Sequence, residues 1–234
     1  MKYPLIAVVT ILSTVPAFAA DMAMKAPPAP APAVQMWEGF YIGGYAGGLW
    51  DYVHAGRPDT PQVITNNGSG ATLGGVIGVN HQWNGLVLGL EGDGGWADVS
   101  HTATYISATS GAPETEQDKS SYTAHIRGRV GLPFGQLLPF VAGGVSFTDD
   151  KVTLTHTRSA LPPDSLSNGW VGWNGGGGVD YAFTPKWIGR VEYIYDNYGA
   201  QTYGFNAATA GRFSDRNLKL TESTVRAVLS YKFW

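Results

Sequence analysis

From Thr224 to Trp234 the sequence alternates without a break. Val225, Ala227, Leu229, Tyr231 and Phe233 share one parity; Arg226, Val228, Ser230 and Lys232 share the other. A period of two marks a strand with one apolar and one polar face. A strand this aromatic at a chain's end fits poorly in a soluble domain. It matches the closing strand of an outer-membrane barrel, whose last aromatics stand at the membrane–water boundary.

The same alternation recurs upstream in short segments. Thr72–Trp83 sets Leu73, Ile77, Val79 and Trp83 against Thr72, Asn80 and Gln82, and Leu86–Trp96 sets Leu88, Leu90 and Trp96 against Glu91 and Asp93. Tyr122–Leu132 opposes Ala124, Ile126 and Val130 to Thr123, His125, Arg127 and Arg129. Pro139–Phe147, Trp170–Phe183 and Trp187–Asp196 continue the series, the last two carrying Asp180, Arg190, Glu192 and Asp196 on their polar parity. With Trp37–Trp50, whose glycines leave the parity open, and the C-terminal stretch, the count is eight. Asn84-Gly85 is a strong hairpin signal, and Pro133-Phe134-Gly135 and Thr184-Pro185-Lys186 read as further tight turns. The other links, about 51–71, 97–121, 148–169 and 197–221, read as long loops. Strict alternation of short and long links around an even strand number is the plan of a transmembrane up-and-down barrel. The expected fold is therefore all-β: an eight-stranded antiparallel transmembrane barrel with short periplasmic turns and long extracellular loops.

Composition decides which face meets lipid. Charged residues make up 14% of the chain, against roughly 25% in soluble domains, while the hydrophobic fraction is an ordinary 44%. A lipocalin-like soluble barrel would carry many Lys and Glu outside; here the polar faces are thin and their charges nearly balance. The interior is thus expected to hold an ion network of Glu91, Asp93, Arg127, Arg129, Asp180, Arg190, Glu192, Arg226 and Lys232. Trp83, Trp96, Trp187, Tyr193, Tyr195 and Tyr231, on the apolar parity toward segment ends, are expected to form aromatic girdles. A net charge of −3 supplies no basic field for nucleic acid.

Upstream of Trp37 the chain reads differently. Met1-Lys2, an apolar run from Leu5 to Val15 and Pro16-Ala17-Phe18-Ala19 describe a secretory signal peptide, residues 1–19, cleaved after Ala19. The apolar run is too short for a spanning helix, which needs about 18 residues or more. Residues 20–36, with alternating Ala and Pro from Ala26 to Ala33, form an extended periplasmic linker. The barrel is assigned to 37–234. With no cysteine in the chain, disulfides and thiol chemistry are excluded.

Several of these segments carry recognisable motifs. Trp37-Glu38-Gly39-Phe40-Tyr41-Ile42-Gly43 resembles the W-x-G-F-Y-x-G opening of the alphaproteobacterial outer-membrane barrel family described as immunogenic outer-membrane or porin-like proteins. Gly89-Leu90-Glu91-Gly92-Asp93, Arg127-Gly128-Arg129-Val130-Gly131 and Leu138-Pro139-Phe140-Val141 with Gly143-Gly144 are similar to its later strands. So are Trp187 with Val191-Glu192-Tyr193, and the terminal Tyr231-Lys232-Phe233. The resemblance implies residence in the outer membrane among its lipids and lipopolysaccharide, and insertion by the outer-membrane assembly machinery. Tyr231, Phe233 and Trp234 would be the assembly signal; Trp234 extends past the family's usual terminal Phe.

No catalytic residue, cofactor or metal site is expected. Gly175 to Gly178 lacks the Lys-Ser/Thr of a phosphate loop, and His54, His81, His101, His125 and His156 have no metal-ligand spacing. Glu91 and Asp93 have the residue types of a paired acid/base site, but Arg127 and Arg129 on the adjacent segment point to ion pairing instead. The leading expectation is a barrel with a side-chain-filled lumen, serving as a structural surface antigen. A narrow porin-like channel, and loops that bind a ligand such as haem or a host surface, are the alternatives. For the loops, the candidates are 97–121 (Asp98, Glu114, Glu116, Asp118, Lys119) and 197–221 (Arg212, Asp215, Arg216, Lys219).

Overall fold

The computed structural model describes residues 36–57, 60–106, 113–156, 164–203 and 216–233. The strands are β1 (Gly39–Arg57), β2 (Thr60–Trp83), β3 (Leu86–Ile106), β4 (Pro113–Gly131), β5 (Leu137–His156), β6 (Asp164–Ala182), β7 (Trp187–Tyr203) and β8 (Arg216–Lys232). Each pairs antiparallel with its neighbours in sequence, and β1 closes on β8 from Tyr41↔Lys232 to Gly56↔Asn217, giving a closed eight-stranded barrel. Closure leaves no sheet edge with unpaired backbone groups along the paired span.

The period of two sorts the side chains as expected. Leu73, Ile77, Leu90, Ile126, Val141, Val191 and Leu229 are exposed on the outer wall, while Glu91, Arg127, Arg129, Asp180, Glu192 and Arg226 are buried inside. In β1, where the glycines had left the parity open, Tyr41, Tyr45 and Leu49 point inward and Phe40 and Ile42 outward. Pleat geometry then fixes every other position on that strand.

The two ends differ. At one end β2–β3, β4–β5 and β6–β7 are joined by tight links. Asn84 (φ 48°) and Gly85 (φ 81°) make the first, both in the left-handed region that a two-residue hairpin of this kind requires. At the other end the loops expected at 51–71, 97–121, 148–169 and 197–221 are largely strand. The structure carries β1 and β2 up to Arg57 and Thr60, and β3 and β4 to Ile106 and Pro113. A strand outside lipid needs no apolar outer face, so its hydrophobic alternation is weak and it reads as loop in the sequence. Strands of 17 to 24 residues far exceed the roughly 9–11 that cross a bilayer. Three of the strand pairs change register near this transition, at Trp96/Val99, Ser120/Thr123 and Asn197/Gly199. Bulges of this kind increase local twist and are common at barrel rims.

Candidate functional site

The lumen is filled by layers. At the tight-turn end Trp37, Val87, Leu138, Ala182 and Ile188 form a buried apolar floor with Met36 against it. Tyr41, Tyr45, Val76 and Val228 pack at mid-height. Toward the opposite end, where the paired strands run on as ribbons, Leu49, Ala97 and Val99 make a second apolar cluster, with Trp170, Leu218 and Leu220 also buried.

Between floor and upper layer, four arginines meet four carboxylates. Arg226 donates from Nη1 and Nη2 to the two oxygens of Asp93, at 2.8 and 3.0 Å, and from Nε to Glu192 Oε1 at 2.8 Å. Arg127 bridges Glu192, at 3.1 Å, and Glu91. Arg190 donates to Asp180 at 2.7 Å and to Glu91 at 2.6 Å, and Arg129 to Asp180 at 2.6 Å. Tyr41 donates its hydroxyl proton to Glu91 at 2.6 Å. The guanidinium faces are used as well: Arg226 stacks 4.2 Å from the Tyr45 ring centre and Arg129 4.0 Å from that of Phe140. Planar guanidinium suits such use, binding carboxylate at its edge and an aromatic ring at its face.

Cross-strand register explains the assembly. Glu91 lies opposite Arg127, Asp180 opposite Arg190 and Glu192 opposite Arg226. Three of the four acids thus have an arginine on the adjacent strand, Asp93 lies opposite His125, and the remaining bonds cross the lumen. Lys232 stands apart from this set at the floor, its Nζ donating to the Met36 carbonyl at 2.5 Å.

A second polar group was read only in part from the sequence, which put Asp196 on a polar face. Asp51, Glu222, Asp196 and Asn174 are consecutive partners across β1, β8, β7 and β6, and all are buried. None of these four stands directly opposite an arginine. Asp196 accepts from Ser146 at 2.6 Å and lies 3.2 Å from His125, whose other ring nitrogen faces Asp93 at 2.7 Å. Tyr198 donates to Glu222 at 3.2 Å. Asp51 and Glu222 were missed because the first falls within a segment read as loop and the second adjoins one. Their parity, continuous with Leu49 and with Thr224 and Arg226, was the available signal.

On the outer wall the six expected girdle residues face away from the lumen, Trp83 and Trp96 the most exposed of them. Trp187 packs edge-on against Tyr231, and Tyr231 against Phe233, at 5.2 and 5.6 Å between ring centres. Trp50, Tyr52, Tyr122, Trp173 and Phe183 add exposed aromatics beyond those named from sequence. Below the floor, Glu38 accepts from the Gln82 amide at 2.8 Å and meets His81 Nδ1 at 2.8 Å. These two bonds hold its carboxyl below the usual carboxylate range. Residues 1–35 and Trp234 lie outside the described residues, as do the side chains of His101, Glu114, Glu116, Asp118, Lys119, His156, Arg212, Asp215 and Arg216.

Comparison with known proteins places this architecture. Residues 7–233 match the model of the outer membrane protein beta-barrel domain. The chain belongs to that family. This outer-membrane barrel is 30% identical over 223 residues to the 25 kDa outer-membrane immunogenic protein of Brucella abortus, covering 93% of this chain and 91% of the relative. The 31 kDa outer-membrane immunogenic protein of Brucella melitensis is 30% identical over 250 aligned positions, covering all of both chains. The 22 kDa outer membrane protein of Rhizobium leguminosarum is 29% identical over 83% of this chain and 79% of its own. Among solved structures, Ail of Yersinia pestis aligns with 82% of this chain and 99% of its own at 9% identity and a TM-score of 0.38. Neisserial surface protein A aligns with 81% and 97% at 14% and 0.38. The barrel is an outer-membrane protein, and its apolar outer wall is set in that membrane's lipid.

Proposed function

We propose that this outer-membrane barrel is a closed cylinder that contributes to envelope integrity and displays antigenic ribbons at the cell surface. The observation that carries this reading is the four-arginine, four-carboxylate network across the lumen, with an apolar layer on either side. An ion entering would have to displace paired charges at mid-height and pass two layers that offer it no ligand. Eight-stranded barrels have interiors that side chains just fill. The names of the Brucella relatives, immunogenic proteins of the outer membrane, support the surface role.

On this reading residues 1–19 direct export and 20–36 tether the barrel on the periplasmic side. The tight turns face the periplasm and the ribbons face outward, among lipopolysaccharide. Trp83, Trp96, Trp187, Tyr193, Tyr195 and Tyr231 anchor the barrel at the two interfaces, and Tyr231, Phe233 and Trp234 are read by the assembly machinery. We assign no catalytic residue and no cofactor. Recording from refolded protein in a planar bilayer tests the central point: no unitary current is expected. Steady, ion-selective currents altered by Arg129→Gln or Glu91→Gln would establish the narrow channel instead.

A further inference from the structure

The residues just before β1 do not continue the strand. Gly39 has φ 119°, a conformation open to glycine and rarely to other residues. It turns the chain so that Trp37 enters the mouth of the barrel, where it is 1% exposed against Val87, Leu138, Ala182 and Ile188. The segment is held at the rim by bonds from both neighbouring strands: Glu38 to the Gln82 amide and His81 on β2, and Lys232 on β8 to the Met36 carbonyl. His81 and Glu38 are in solvent contact, unlike the arginine network above them. The Trp37 indole N–H is buried and meets no hydrogen-bond acceptor among the described residues. Trp37 is thus lodged in the mouth and fastened only from the exposed rim.

We propose that Met36–Glu38 is a fastened stopper on the tight-turn mouth of the lumen. Trp37 closes the mouth, Gly39 is its hinge, and Glu38 and Lys232 are its fasteners. The inference rests on the closed-lumen reading and adds which part can open.

The chain has no cysteine, so Ala182→Cys at the floor and Ala97→Cys in the upper layer each introduce a single thiol. Labelling of the refolded full-length barrel with a charged maleimide reads access to each. Ala182→Cys is expected to react slowly, and about tenfold or more faster once Trp37→Ala removes the stopper. Trp37→Phe should restore slow labelling, Glu38→Ala should give a smaller rise, and Ala97→Cys should stay slow throughout. An Ala182→Cys rate indifferent to Trp37→Ala overturns the stopper. Should Trp37→Ala expose Ala97→Cys too, the protein has lost its fold. Glu38→Ala, which removes nothing from the lumen, then decides: a faster Ala182→Cys supports the stopper and an unchanged one overturns it. Fast labelling of both thiols with Trp37 intact would instead overturn the closed lumen itself.

Discussion

Arg226 and Glu222 sit on the same inward face of β8, four residues apart, and their surroundings are opposite. Arg226 has three hydrogen bonds to two carboxylates and an aromatic ring beside it. Glu222 lies between Asp51 and Asp196 in the register, with Tyr198 donating to it. Removing one partner of a buried ion pair strands the other charge, at about 3–5 kcal/mol; removing a buried carboxyl crowded by two others relieves the cost of holding it there. Arg226→Ala should therefore lower unfolding stability by about 3–5 kcal/mol, leaving His125 as the nearest partner of Asp93 and Arg127 as that of Glu192. Glu222→Gln, which still accepts from Tyr198, should raise it by about 0.2–1 kcal/mol. Urea titration of the barrel refolded in lipid vesicles measures both, and a shift in the same direction for the two variants would contradict this account of the lumen.

At the scale of the strand, glycine parity sets what the lumen can hold. In β6, Gly178 faces inward opposite Glu192, and a Cβ there would lie 2.7 Å from the Cβ of Glu192 as well as against the Val191 carbonyl. Gly175 has the opposite parity, and its Cβ would meet nothing closer than 3.9 Å, the Trp173 ring. Gly178→Ala should destabilise by about 1–3 kcal/mol by pushing Glu192 off Arg127 and Arg226. Gly175→Ala should be neutral or stabilising by roughly 0.5–1 kcal/mol, both read from the same urea titrations. The sequence revealed strand number, the tight turns and the facing of every bilayer-crossing segment but the glycine-rich first, because a lipid-facing strand must alternate and a one-residue slip would put Arg127 and Arg129 into hydrocarbon. It did not reveal how far the strands run, since backbone pairing in water needs no apolar face and leaves no periodic trace. For the same reason Asp51 and Glu222 were missed, while Glu91 and Arg127, flanked by Leu88, Leu90, Ile126 and Val130, were legible. Trp37 had been read as the opening of a strand; it is buried in the mouth because Gly39 breaks the extended course, a conformational choice that hydrophobic patterning does not encode.

For the whole molecule, the asymmetry of the two ends makes orientation a physical question. The chain termini of the barrel and the three tight links share one end; the ribbons occupy the other. Moving the ribbon end through the membrane means carrying long, strongly polar paired strands across hydrocarbon, whereas the tight-turn end presents few residues to move. Insertion should therefore leave the turns on the side from which the protein arrives, the periplasm. Asn67 in the β2 ribbon and Lys186 in the β6–β7 link are both exposed to solvent, and the cysteine-free chain makes either one a clean labelling site. On intact cells a membrane-impermeant thiol reagent should label Asn67→Cys promptly and leave Lys186→Cys untouched, and permeabilising the outer membrane should make Lys186→Cys reactive without altering Asn67→Cys. The reverse pattern would place the ribbons in the periplasm, where they could be neither antigens nor contacts for anything outside the cell.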